Sequence, residues 1–408
     1  MRVLIVSQYF APEVTAASLR LEPIARGLAE LGHDVEVVCE VPSHPQGVVA
    51  RGYGGRAVDR RSADGYRVSH VWVHASPSKR ARTRLASYAS YAAMAAAVGG
   101  ALRAPDVVLA SSPPLSVGAV GDLLARRFRV PLVLDVRDLW PQAPLALGEI
   151  SPGRVSRAAE RLERYLYRRA AAVTTPTPSF REHIVAHGAR PESVYVLANG
   201  TTRAWLEAGE LPPDREGAGL PPEGECFVWT YAGNVGLSQN LETAIDAAAL
   251  LGAGFQLLIL GDGTSKSRLE KNARTVGGGG VLFRDSVPPE RAMEIMRASD
   301  ALLVPLADVP ELGRSVPVKL YDYCAIGRPV IAGVPGATRQ LIEQEEIALL
   351  APPGDAVALA ECVRNLAERP EQAGPLIDSA RRFARANLRE DGVRKLTGIL
   401  AGAAQFRG

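Results

Sequence analysis

Short apolar runs rich in Val, Ile and Leu recur along the whole chain, and each gives way to a stretch of helical periodicity. That alternation is the pattern of βαβ units, whose parallel strands are buried on both faces and read as near-continuous hydrophobic runs. In the first half the candidate strands are 3–10, 35–40, 67–75, 106–113, 131–138, 171–177 and 194–200. Helices fall between them, for example Leu19 to Leu31, closed by Gly32. Residues 201–225 are rich in Gly, Pro and acids, the composition of an interdomain connection. The pattern then restarts with strands at 226–233, 255–263, 281–287, 301–306, 328–333 and 347–352. Leu241 to Leu251, Ala356 to Arg369 and Leu376 to Ala386 read as helices. The expectation is α/β: two doubly wound, Rossmann-like domains facing across a cleft, with ligand at the carboxyl ends of both sheets.

Composition narrows the partners. A net charge of +3 on 408 residues argues against a dedicated nucleic-acid binder. The four cysteines are scattered with no CxxC pair, the usage of reduced thiols in a cytoplasmic protein. The N-terminus runs straight into a strand with no export signal. The small-apolar run Ala86 to Ala104 is broken by Tyr88, Ser90, Tyr91 and Gly99-Gly100, too weak for a spanning helix.

Five segments could carry chemistry. In VPVKLYDYCAIGRPVIAG, Lys319 and Asp322 lie near the start of a short apolar helix that ends at Gly327. A helix N-terminus suits phosphate, and a nearby carboxylate suits ribose or sugar hydroxyls. Lys319, with Arg314 upstream, would neutralise a diphosphate leaving group; the plainer reading is a surface ion pair between Lys319 and Asp322. After the first strand, Thr15, Ala16, Ala17 and Ser18 open a helix whose N–H groups could approach a diphosphate, or Thr and Ser simply cap it. LDVRDLWP puts Asp135, Arg137 and Asp138 at a strand's carboxyl end. There Asp138 could orient or deprotonate an acceptor hydroxyl and Arg137 hold a sugar or phosphate, or the pair could cap the strand exit. In YAGNVGLSQNLE, Gly233 and Gly236 allow close backbone approach, while Asn234 and Gln239 are polar donors. Gly261-Asp262-Gly263 forms a tight loop suited to a base or diphosphate, and equally an ordinary βα turn.

In order, PEVTAAS, DVRDLWP, YAGNVG…NLE, LLILGDG and VPVKLYDYCAIGRPVIA resemble the retaining glycosyltransferases of family 4, of the two-domain GT-B fold, over nearly the whole chain. The likeness is greatest to bacterial enzymes of amino-sugar transfer in surface-polysaccharide assembly. The resemblance implies an acceptor domain over 1–200, the connection 201–225, a nucleotide-sugar domain over 226–385 and a C-terminal helix, 386–408, crossing back to the first domain. It implies a UDP-linked sugar as donor, an N-acetylated amino sugar among the candidates, with Leu320 joining the donor-binding residues named above. The acceptor would be a glycan, lipid-linked or small-molecule hydroxyl. Neither cofactor nor metal is expected, in keeping with the absence of a DxD motif. The chain departs from the family pattern where two glutamates eight apart are common, holding Arg314 and Asp322. Asn234 and Gln239 stand where a diphosphate-binding Arg and Lys are usual, and Arg137 where a histidine is.

Arg154, Arg157, Arg161, Arg164 and Arg168 recur on one helical face, and Lys79, Arg80, Arg82 and Arg84 precede the Tyr/Ala-rich helix. Such faces could touch an anionic membrane, or be solvated and partly neutralised by Glu160 and Glu163. Two rival functions are a non-hydrolysing nucleotide-sugar epimerase and a non-catalytic two-lobed binding protein. The second half's lack of histidine opposes the first, and the lack of an export signal opposes the second.

Overall fold

The computed structural model describes residues 1–13, 15–44, 46–78, 80–146, 151–276 and 280–405. Lys79 lies outside them. The chain divides into two α/β units, Met1–Ala198 with Arg389–Gly408, and Asn199–Leu388.

The first unit holds strands Arg2–Val6 (β1), Asp34–Glu40 (β2), Val58–Ala63 (β3), Tyr66–Val71 (β4), Val107–Ser112 (β5), Leu132–Val136 (β6), Ala172–Thr175 (β7) and Val194–Val196 (β8). They form one sheet in the order β3-β4-β2-β1-β5-β6-β7-β8. Every pairing is parallel except the β3–β4 hairpin. The parallel strands are buried on both faces, as their unbroken apolar runs require. Leu4, Val6, Val38 and Val108 face one cluster, and Val3, Ile5, Val37 and Leu109 the other. Each fully buried Val, Leu or Ile contributes roughly 1.5–3 kcal/mol.

β3 is the strand with no counterpart in the expected set. It is an edge strand with a largely exposed, charged face, so it lacks the apolar run. Its signal was the turn: Asp64 and Gly65 have φ of 47° and 82°, the left-handed pair that fits a two-residue hairpin to the strand twist. The alanine-rich run forms helix Ala81–Gly100, which lies on β2 and on helix Leu115–Phe128. Among the described residues no helix is long and apolar enough to cross a membrane. The last helix, Arg389–Gln405, buries Val393, Leu396 and Leu400 against Leu21 and Leu28 of helix Ala16–Glu30.

The second unit holds Phe227–Ala232 (β9), Phe255–Leu260 (β10), Val281–Arg284 (β11), Ala301–Pro305 (β12), Val330–Gly333 (β13) and Leu349–Ala351 (β14). The order is β11-β10-β9-β12-β13-β14, all parallel. Residues 201–225 are not a loose connection but part of this unit. They carry helix Arg203–Glu210, and Ala218 and Leu220 pack on Val228, Leu258 and Ile295. Arg215 Nη1 donates to both carboxylate oxygens of Asp300, at 2.8 and 2.9 Å. The divisions fall instead at Ala198/Asn199 and Leu388/Arg389.

In both sheets the strand order reverses about the first strand, β1 between β2 and β5, and β9 between β10 and β12. The carboxyl ends at such switch points are where open α/β sheets place ligands.

Candidate functional site

At the second unit's switch point, Gly233 follows β9 and Lys319 stands on the first turn of helix Val318–Ile326. Pro317 stands at the N-cap of that helix and makes no side-chain cap bond. The lysine stem crosses the ring of Tyr231, with Nζ 3.9 Å from its centroid. Nζ lies against Gly233, where a methyl group would sit 3.1 Å from it. The ammonium is buried and, among the described residues, has no hydrogen-bond partner. Burial therefore pulls Lys319 down to about 7, because nothing but the aromatic face compensates the charge. The ion pair between Lys319 and Asp322 does not form.

Asp322 points elsewhere. It is buried, and its Oδ1 accepts from Thr201 Oγ1 at 2.9 Å, so this carboxylate is engaged within the protein rather than offered to a hydroxyl outside it. Leu320 is fully buried, and its N–H bonds Pro317 O at 3.1 Å, which removes both groups from direct contact with a ligand. Arg314 closes a 3-10 turn, Leu312–Arg314, and is exposed.

The β9 turn is held from two sides. Tyr231 Oη donates to Asn234 O at 2.5 Å, and Tyr323 Oη donates to Ala232 O at 2.9 Å while accepting from Ala232 N at 2.8 Å. Asn234 is left exposed beside Gly233. Gln239 caps locally: its Oε1 accepts from Gly236 N at 3.2 Å. Gly261 and Gly263 are glycines because the two loops touch. A Cβ would come within 2.0 Å of Gly233 O at the first and 2.3 Å of Val235 O at the second. Of the donor-binding residues named from sequence, Gly233, Asn234 and Lys319 therefore converge, while Gln239, Gly261 and Gly263 shape the turn around them. Tyr231, Tyr323 and Thr201 are the residues that sequence reasoning missed.

In the first unit, β6 delivers Asp135 into a buried network. It accepts from Ser111 Oγ (2.7 Å), Thr174 Oγ1 (2.9 Å) and Arg20 Nη2 (3.2 Å). Burial alone would raise its carboxyl, but Arg20 and Arg137 outweigh that and hold it below the usual range. Arg137 donates from Nε to Ser111 Oγ (2.8 Å) and from Nη2 to Pro113 O (3.0 Å), tying the ends of β5 and β6 together. Asp138 is exposed at the same strand end, and the protein around it pushes its carboxyl up to about 6 against the pull of Arg137. With its surface open to water, it is a carboxylate at neutral pH. On the first helix, Thr15 accepts from Ser18 N at 3.1 Å and Ser18 Oγ accepts from Thr15 N at 2.8 Å. That reciprocal cap accounts for both hydroxyls; Ala16 lies in the first turn and Ala17 is buried in the core.

Comparison with known proteins places both halves. The glycosyl transferase 4-like domain family matches residues 15–200, and the glycosyl transferases group 1 family matches residues 227–369. A protein named as a colanic acid biosynthesis glycosyl transferase, WcaI, of Escherichia coli is 25% identical over 80% of this chain and 82% of its own. A 2-deoxystreptamine glucosyltransferase of Streptomyces kanamyceticus is 28% identical over 51% of this chain and 54% of its own. Among solved structures, Anabaena Alr3699/HepE in complex with UDP-glucose superposes with a TM-score of 0.73 at 17% identity, over 98% of this chain and 100% of that one. That likeness assigns the fold, GT-B.

Proposed function

The chain belongs to the glycosyltransferases built from a 4-like domain followed by a group 1 domain, and from that premise we propose that it transfers a sugar from UDP to an acceptor hydroxyl with retention at the anomeric carbon. The observation that carries the donor reading is the buried, unpartnered Lys319 ammonium at the carboxyl end of β9. A diphosphate laid against Gly233 and the open start of helix Val318–Ile326 would meet that ammonium and the helix's first N–H groups. As the glycosidic bond to the diphosphate breaks, negative charge grows on the leaving oxygen. A fixed cation in a dry setting stabilises that charge more than it stabilises the bound donor, which is what lowers the barrier.

In the first unit, Asp138 is an exposed carboxylate just past the carboxyl end of β6 and would orient the acceptor hydroxyl. Arg137 holds the strand ends that present it. Charge compensation through Lys319 makes transfer metal-independent in this reading. The UDP preference is supported by the neighbouring structure's bound donor, and a surface-glycan or aminocyclitol-type acceptor by the names of the relatives.

Thermal-shift titration with UDP, GDP and dTDP tests the donor reading, since a ligand bound only to the folded state raises its melting temperature. UDP should stabilise the protein most, and Lys319→Ala should sharply reduce the shift. Equal shifts in wild type and Lys319→Ala would sink the assignment.

A further inference from the structure

Beyond the carboxyl end of β1 and at that of β2 the first unit buries two carboxyl side chains. Glu13 and Glu40 are 9% and 4% exposed. Glu13 Oε1 accepts from the backbone N–H groups of Ser43 (2.5 Å) and His44 (2.7 Å). Glu40 accepts from Gln8 Nε2 at 2.7 Å and Ser43 Oγ at 3.2 Å. Among the described residues, no lysine or arginine acts on either carboxylate. Burial first, and then the charge of Glu13, push Glu40 up to about 8. Like charges held in a poorly hydrated place cost stability unless something neutralises them.

Gln8 supplies an independent sign. It is fully buried and held on Glu40 through Nε2, yet among the described residues its Oε1 has no hydrogen-bond partner. Gln8 thus adds one open acceptor beside the two carboxyl groups. Tyr9 and His44 form the margin, their rings edge to face at 5.1 Å, and His44 is exposed. A ligand group that fits must bring N–H donors and positive charge. An ammonium brings three donors and turns the repulsion between the glutamates into attraction; a hydroxyl does neither.

We propose that Gln8, Glu13 and Glu40 form a subsite for a protonated primary amine carried by the sugar acceptor, with Tyr9 and His44 flanking the ring that bears it. The proposal rests on the reading that the first unit takes the acceptor.

The test is titration calorimetry of the full-length protein with two matched pairs, 2-deoxystreptamine against myo-inositol and glucosamine against glucose. A charged hydrogen-bonded contact discriminates by about tenfold or more. At least one amine should therefore bind wild type about tenfold tighter than its amine-free partner, and Glu40→Gln and Glu13→Gln should each remove that preference. Glu40→Gln keeps the shape and discards an acid that burial disfavours, so its melting temperature should not fall, which separates lost binding from lost fold. Equal affinity within both pairs, no amine binding, or a preference that survives in the Glu13→Gln/Glu40→Gln double variant each overturns the proposal. A parallel UDP titration keeps the two readings apart: UDP binding with no amine preference sinks only this subsite, and absence of UDP binding sinks the donor reading.

Discussion

The buried ammonium makes donor binding a proton-linked event. In the unfolded chain Lys319 has the ordinary lysine value of 10.5, and in the folded protein it falls to about 7. At about 1.36 kcal/mol per unit, the difference is on the order of 5 kcal/mol, an upper figure because the partly exposed stem admits some water. The folded value is depressed, so between about 7 and 10.5 the unfolded state binds the extra proton and stability rises with pH. Below 7 both states are protonated and the full penalty is present. A diphosphate against Nζ restores the charged form. Binding of UDP at pH 8.5 should therefore take up close to one proton, and affinity should fall by up to tenfold per unit as pH rises above 7. Calorimetry at pH 8.5 in two buffers of different ionisation enthalpy reads the uptake, since a terminal phosphate with its second ionisation near 6 is already dianionic there and the uracil ring is still largely neutral. Lys319→Met should be more stable than wild type at pH 7, lose the pH-dependent slope and bind UDP without proton uptake. No uptake by wild type, or unchanged UDP affinity in Lys319→Met, would refute the reasoning.

Other outcomes follow from the same geometry. Asp135→Ala strands Arg20 in a buried site and should cost roughly 3–5 kcal/mol in denaturant unfolding. Asp135 itself, held below the usual range, should contribute stability that is present above its unfolded value and lost as pH falls through its folded one. Tyr323→Phe leaves Ala232 O and N without their shared partner. It should weaken UDP binding with a stability loss of about 1 kcal/mol, measured by calorimetry and melting. If the arginine face of helix Arg154–Arg169 meets anionic lipid beside the exposed Val155, the protein should sediment with phosphatidylserine vesicles at low salt and release at high salt. Binding that ignores salt would point away from that face.

The two-sheet plan was legible because buried parallel strands leave an apolar trace in the chain itself. β3 escaped it because an edge strand needs no such trace. Lys319 was legible as a candidate, since a lysine at the start of a glycine-bounded helix is a local pattern. Its isolation was not, because that depends on Tyr231 and Gly233, which the chain brings up from the far end of β9. The engagement of Asp322 was not legible for the same reason: its Thr201 partner lies 121 positions away. The Gln8–Glu13–Glu40 cluster was invisible because nothing along the chain marks two side chains of one loop and a third at a strand end as sharing one spot.

The bond from Thr201 to Asp322 sits where Thr201 N also meets Asn387 O and Thr201 pairs with Leu388. The second unit therefore begins and ends at one point, as an insertion in the first. During synthesis it is complete when Leu388 emerges, whereas the first unit still lacks Arg389–Gln405, which covers Leu21 and Leu28. The half that is made first is finished last. Until that helix arrives, the apolar face it covers is open to chaperones and to other chains, so a chain cut after Leu388 would lack part of the first unit and keep the second whole.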